Sequence, residues 1–307
     1  MSGSARPAGV HVKLVLVALA WGGTFIGARI LTAEMAPVTA AFWRYVVASA
    51  MLVAVAFTLE GGLPRLDRRQ WVGVALLGAT GVAAFNLMFM FGLETVAASR
   101  GSLIVALNPA VTLLGAALFL REPLTRNKAI GIVVALCGVS VVLGHGDPRN
   151  VLLGTVGVGE LALVGCVLAW ATYTLLGKRI LQGLSPIAAT TYAALIGTTL
   201  LGVAAAASGH LALPPASWRI TLALGFVGVF GSALAFVWFY EGVRALGPAR
   251  AAVFINLVPV AAIALGVLLL GEPLELSMLA GGAMVIGGIW LINRPQRASA
   301  APVAAAG

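Results

Sequence analysis

Polar residues break this chain into ten apolar runs, each long enough, at roughly 20 residues, to carry a helix across a bilayer core. The runs fall near 12–32, 38–59, 71–92, 97–120, 128–144, 156–178, 186–208, 218–241, 249–270 and 276–293. None shows the period-two alternation of a membrane β-barrel, and lipid offers no partner to exposed backbone N–H and C=O groups, so each run predicts a helix. The pattern predicts an all-α membrane protein with ten transmembrane helices. The first run, with Arg6 and Lys13 at its start, is too long for a signal-peptide core and has no small-residue cleavage site after a short core. It therefore reads as a retained span.

The runs are written twice. "ALNPAVTLLGAALFLREPL" at 106–124 and "NLVPVAAIALGVLLLGEPL" at 256–274 align at an offset of 150 residues. The same offset pairs Gly92 with Gly242, Arg100 with Arg250, Pro109 with Pro259, and Gly131 and Gly138 with Gly281 and Gly288. At 149 the "LAW" ending at Trp21 meets the one ending at Trp170, and Pro37 meets Pro186. The predicted organisation is a first five-helix repeat over 1–143, a linker over 144–155 that opens with the polar "GHGDPRN", a second five-helix repeat over 156–293 and a cytoplasmic tail over 294–307. Five is odd, so the second repeat enters the membrane from the opposite side. Two inverted five-helix repeats around a central cavity are the usual architecture of secondary transporters, with the solute held near the midplane.

Composition agrees: 61% hydrophobic and 9% charged residues leave too little polar surface for a soluble globule. The net charge of +9 would suit nucleic acid, but its distribution argues against that partner. Taking the loops alternately, Arg29, Arg100, Arg149 and Arg219 fall on one side and Arg44 lies within a span, while the other fourteen of the nineteen Lys and Arg fall on the opposite side. By the positive-inside rule both termini are cytoplasmic, in a bacterial inner (cytoplasmic) membrane. This also separates the two copies of one turn: "REPLTRNK" faces the cytoplasm with three basic residues, and "GEPLELSM" faces outward with none. Cys137 and Cys166 both fall inside predicted spans and read as packing residues, neither a disulfide nor a metal site.

"LAWGGTFI" in span 1, "AFWRYVVA" in span 2, a mid-span proline in spans 4 and 9, the doubled "EPL" turn and the paired Gly-rich fifth helices together resemble the EamA-type branch of the drug/metabolite transporter superfamily. The resemblance covers roughly residues 12–293, and within the branch the chain is most similar to YddG-type aromatic amino acid exporters. It implies a basket of ten helices, a cavity lined by spans 1, 3, 4, 6, 8 and 9, and export of small metabolites.

Several residues are candidates for solute contact. Trp21 and Trp170 lie near the middle of spans 1 and 6, away from the interfaces where Trp71 and Trp218 sit, and are read either as symmetry-related cavity walls or as bulky packing and lipid-facing residues. Pro109 and Pro259 each remove a helical hydrogen bond and predict a kink or gating point. Asn108, Thr112 and Asn256 beside them offer polar groups to a solute, or re-satisfy the broken backbone. Asn86 and Ser232 in spans 3 and 8 are weaker candidates of the same kind. Arg44, about 10 Å from the outer end of helix 2, invites a substrate carboxylate. It has structural alternatives: snorkelling outward, pairing with Glu34 or capping carbonyls. The resembling family carries a basic residue here whatever the cargo, which favours those alternatives. Gly131, Gly138, Gly281 and Gly288 predict close helix contact, within the monomer rather than at a dimer seam.

An enzyme is not expected. His11, His145 and His210 lie at span ends or in loops, so Ser232 has no histidine base, and no Walker loop or Cys/His/Asp metal set appears. No catalytic residue, metal or cofactor is expected. A sugar phosphate would need several cations, and Arg44 alone is insufficient. The expected function is export of amino acids, aromatic and other neutral or hydrophobic ones, by alternating access, from a monomer or weak homodimer. The alternatives are export of drugs or other small metabolites by the same fold and, behind these, a channel.

Overall fold

Ten helices long and apolar enough to cross a bilayer run over Gly9–Glu34, Pro37–Glu60, Arg68–Thr95, Ala98–Leu120, Arg126–Leu143, Val158–Gly177, Pro186–Ala207, Trp218–Val243, Arg250–Leu270 and Leu276–Asn293, numbered here as spans 1 to 10. Their ends differ from the predicted runs by three residues at most. The computed structural model describes residues 7–152, 156–180 and 183–293, and no strand occurs among them. Residues 153–155 of the expected linker and the expected tail at 294–307 lie outside the described residues. With ten crossings the start of span 1 and the end of span 10 share one side, called the terminal side below. The linker marks the other.

Local chemistry sets the helix ends. Pro37 and Pro186 open spans 2 and 7 in the first turn, where the missing N–H costs nothing. Asp67 and Gln70 form a reciprocal capping box before span 3, with Asp67 Oδ1 accepting from the Gln70 backbone N–H at 2.7 Å. Spans 4 and 9 end on left-handed residues, Arg121 at φ 56° and Gly271 at φ 66°. Glycine fits that geometry without strain, so the arginine in the first copy sits there at a conformational cost of roughly 1 kcal/mol, consistent with its being kept for its charge.

Spans 5 and 10 form the tightest helix pair, and the glycines make it. A Cβ on Gly138 would come 2.6 Å from the Gly281 carbonyl oxygen, and one on Gly131 would come 2.6 Å from that of Gly288. The reciprocal substitutions at Gly281 and Gly288 meet the carbonyls of Gly138 and Gly131. The seven-residue spacing on both helices thus pairs in antiparallel register and packs one repeat on the other within a single chain. Spans 4 and 9 are each broken where the prolines were expected to act: span 4 into Ala98–Val105 and Asn108–Leu120, span 9 into Pro248–Ile255 and Leu257–Leu270.

Candidate functional site

Two short π-helical segments mark the centre of the fold, Gly78–Ala84 in span 3 and Phe226–Leu234 in span 8. Gly78 and Gly81 stand 150 residues before Gly228 and Gly231, so the distortion is part of the repeat. Such wide turns recur at functional sites. Trp21 Nε1 donates to the Gly231 carbonyl at 3.1 Å, and its indole lies 5.6 Å from Phe236 and 5.4 Å from Phe239. In the other half Trp170 lies 5.3 Å from Phe85 and 5.3 Å from Tyr173. Each repeat therefore sets its mid-span tryptophan against the π-bearing helix of a partner span, 1 on 8 and 6 on 3.

Between these helices is a cavity of about 20 Å³, lined by Tyr45 and Leu52 of span 2, Gly81 and Val82 of span 3, Trp170 and Tyr173 of span 6, Thr190, Ala193 and Ala194 of span 7, and Ser232 and Phe236 of span 8. It has room for about one water-sized group, so a larger solute requires the helices to separate. Arg44 stands at its edge, only 6% exposed. Its Nη2 lies 3.5 Å from Ser232 Oγ, and its guanidinium sits 5.8 Å and 5.6 Å from the ring centroids of Tyr45 and Phe89. Nε and Nη1 have no hydrogen-bond partner, and no carboxylate of the described residues comes within 4.0 Å. Asn86 Nδ2 donates to the Val82 carbonyl at 2.8 Å, while its Oδ1, like that of Asn108, is buried without a partner.

The two sides of this centre are built differently. On the linker side Glu272, from the turn after span 9, caps the start of span 4: its carboxylate accepts from the backbone N–H groups of Ala98 at 2.7 Å and Ser99 at 2.9 Å, and from the Ser99 hydroxyl. Arg100 continues the tie, donating to the Leu143 carbonyl at 2.6 Å with Nε 3.6 Å from Glu160, and His145 links Arg100 to Glu275. Arg29 Nη1 donates to the carbonyls of Leu93 and Glu94, at 2.9 and 2.8 Å. The first half of span 4 packs against the second half of span 9 and against spans 1 and 6. On the terminal side the equivalent segment, Pro248–Ile255, packs on span 1 but makes no comparable contact with Asn108–Leu120 or span 6 among the described residues. Lys13 and Glu241 form an exposed ion pair there between spans 1 and 8. Among the described residues, the ties that close the centre lie on the linker side.

The EamA-like transporter family model matches residues 10–144 and 157–294, which is nearly the whole chain in two copies. This chain belongs to the EamA-like transporter family. It is 28% identical to the uncharacterized transporter YyaM of Bacillus subtilis (strain 168), over 91% of this chain and 92% of that one. It is 30% identical to a probable terminal-alkyne amino-acid exporter of Streptantibioticus cattleyicolor, over 92% of each. A solved crystal structure at 17% identity, covering 93% of this chain and 97% of that one, superposes with a TM-score of 0.63 and shares the fold.

Within this EamA-like fold the sequence-derived candidates separate into groups. Trp170 and Ser232 line the cavity, and Arg44 adjoins it through Ser232. Asn86 lies four residues along span 3 from Val82, on the same helical face. Trp21 is held on span 8 outside the cavity lining, and Asn108, Thr112 and Asn256 sit half-buried at or beside the breaks of spans 4 and 9. Arg44 neither snorkels nor pairs with Glu34, which is exposed. This small cavity is lined by spans 2 and 7 as well as by spans 3, 6 and 8. Tyr45, Phe89, Phe236 and Glu272 were not among the candidates. The doubled glycine pairs 78/81 and 228/231 mark close helix contacts, a Cβ at Gly81 meeting the Tyr173 ring and one at Gly228 meeting Val47 and the Arg44 carbonyl, but they do not point to the first three. The doubled "EPL" was the signal for Glu272.

Proposed function

We propose that this EamA-like chain exports amino acids with aromatic or other hydrophobic neutral side chains, by alternating access about the central cavity. The observation that carries the reading is the composition of that cavity: four aromatic side chains, Tyr45, Trp170, Tyr173 and Phe236, surround a few polar groups at bilayer depth, as suits a solute with an apolar side chain and a small polar end. The relative that carries an amino-acid exporter's description supports the same class of cargo. The tight closure on one side of the centre suits a carrier better than an open pore. With the terminal side read as cytoplasmic from its basic loops, the arrangement described is closed to the outside.

The experiment is uptake of radiolabelled phenylalanine, threonine, methionine and a sugar phosphate into liposomes holding the purified protein. Saturable flux of the amino acids and none of the phosphate is expected. A Trp170→Ala variant loses an indole from the cavity wall, and its phenylalanine flux falls about tenfold, one such contact being worth roughly 1.5 kcal/mol. No amino-acid flux above that of empty liposomes, in either direction and with or without a proton gradient, would remove the cargo assignment.

A further inference from the structure

The most unusual group in the molecule is Arg44. A guanidinium has five N–H donors and cannot shed its charge readily, so burying it within a membrane helix is costly unless the donors are met. Among the described residues Nε and Nη1 meet no hydrogen-bond partner, Nη2 makes one contact at the outer limit of a hydrogen bond, and no carboxylate is in reach. The rings of Tyr45 and Phe89 hold the guanidinium in place without using its N–H groups. The bonds that would complete it must come from something else, and the donor fork fits a planar anion.

A second orphan lies nearby. Asn86 is 1% exposed, and because its Nδ2 donates to the Val82 carbonyl, the free atom is necessarily the acceptor Oδ1. Val82, Asn86 and Phe89 stand at i, i+4 and i+7 on one face of span 3, so that face runs from the cavity past the free acceptor to the ring beneath Arg44. A free donor fork, a free acceptor and an aromatic cavity thus share one strip.

We propose that Arg44, positioned by Ser232 Oγ, which accepts from its Nη2 while donating to the Val227 carbonyl, is the anchor for the cargo's carboxylate, with Asn86 Oδ1 receiving its ammonium group and the aromatic cavity its side chain. This rests on the exporter reading but is separable from it, since an anchor for carboxylates would serve acids that carry no amino group.

The test is ligand-induced thermal stabilisation of the purified wild-type protein with a ladder of one-group changes: phenylalanine, phenylpropionate lacking the ammonium, and phenylalaninol and phenylalaninamide lacking the carboxylate. Phenylalanine is expected to bind best and phenylpropionate about tenfold more weakly, while both carboxylate-free compounds lose about thirtyfold or more, the effect of leaving a buried cation unpaired. Arg44→Gln is expected to abolish the preference for acid over alcohol rather than merely weaken all ligands, which a purely structural arginine would not do. If that variant does not fold, Ser232→Ala reduces the same preference several-fold. Binding of phenylpropionate without phenylalanine would sink the amino-acid reading and leave the anchor standing. Equal binding of acid and alcohol, or no binding of any carboxylate up to about 10 mM, would overturn the anchor.

Discussion

Gly138→Leu is expected to abolish recovery of folded, monodisperse protein, while Gly287→Ala on the facing helix leaves it unchanged. A Cβ at position 138 would lie 2.6 Å from the Gly281 carbonyl oxygen and 2.8 Å from the Met284 Cβ and the Val285 nitrogen, and two of those three atoms are backbone. Overpacking costs about 1–3 kcal/mol where side chains can yield. Helix backbone yields only if spans 5 and 10 move apart as rods, which undoes the contact between repeats, so the cost exceeds that range and consumes much of a stability of roughly 5–15 kcal/mol. At Gly287 nothing lies within 4 Å of the added carbon. Size-exclusion chromatography and thermal unfolding in detergent check both, and equal behaviour of the two variants would show that spans 5 and 10 do not pair through these glycines.

The second large effect is on the balance of states. Glu272→Ala deletes one carboxylate that ties the turn after span 9 to the first turn of span 4 through three hydrogen bonds. Hydrogen bonds to a charged group contribute about 1.5–3 kcal/mol each, and water regains part of this at a half-buried site. A net loss of roughly 2 kcal/mol shifts the population toward a state open on the linker side by about thirtyfold. Cys166 provides the reporter. It is buried in span 6, about 12 Å from the linker-side end of that helix at 1.5 Å per residue. In a Cys137→Ser background, a membrane-impermeant maleimide added outside right-side-out vesicles is expected to label Cys166 much faster in the Glu272→Ala protein than with Glu272 intact. Unchanged labelling would mean that Glu272 is no part of the seal. Labelling only from the cytoplasmic face would reverse the orientation inferred from the basic loops.

Much of the architecture is legible in the sequence because membrane helices declare themselves by length. Backbone satisfaction in lipid forces a long apolar run to be a helix, and the 150-residue offset supplied the second half of the fold from the first. The centre was less legible. A π-turn has no composition of its own, so the doubled glycines at 78, 81, 228 and 231 could be seen but their wide turns could not. The charge of Arg44 was evident, and its depth followed from counting residues. That its Nε and Nη1 lack partners depends on spans 3, 6 and 8 together, which no local pattern encodes. Glu272 reads as an acidic residue at a helix end until the start of span 4, more than 170 residues away in sequence, is brought against it. The tryptophans illustrate the same limit. Their mid-span depth was readable, but whether each faces the cavity was not, and Trp170 lines it while Trp21 is occupied by the Gly231 carbonyl.

A carrier for amino acids that alternates about this site catalyses exchange. Proteoliposomes are loaded with unlabelled phenylalanine and diluted into a trace of the labelled compound, and entry is compared with that into liposomes loaded with buffer. Label is expected to accumulate faster and transiently in the preloaded vesicles, because the loaded carrier returns with cargo from either side. Entry that is unsaturable and indifferent to the internal load would contradict alternating access and point to a pore.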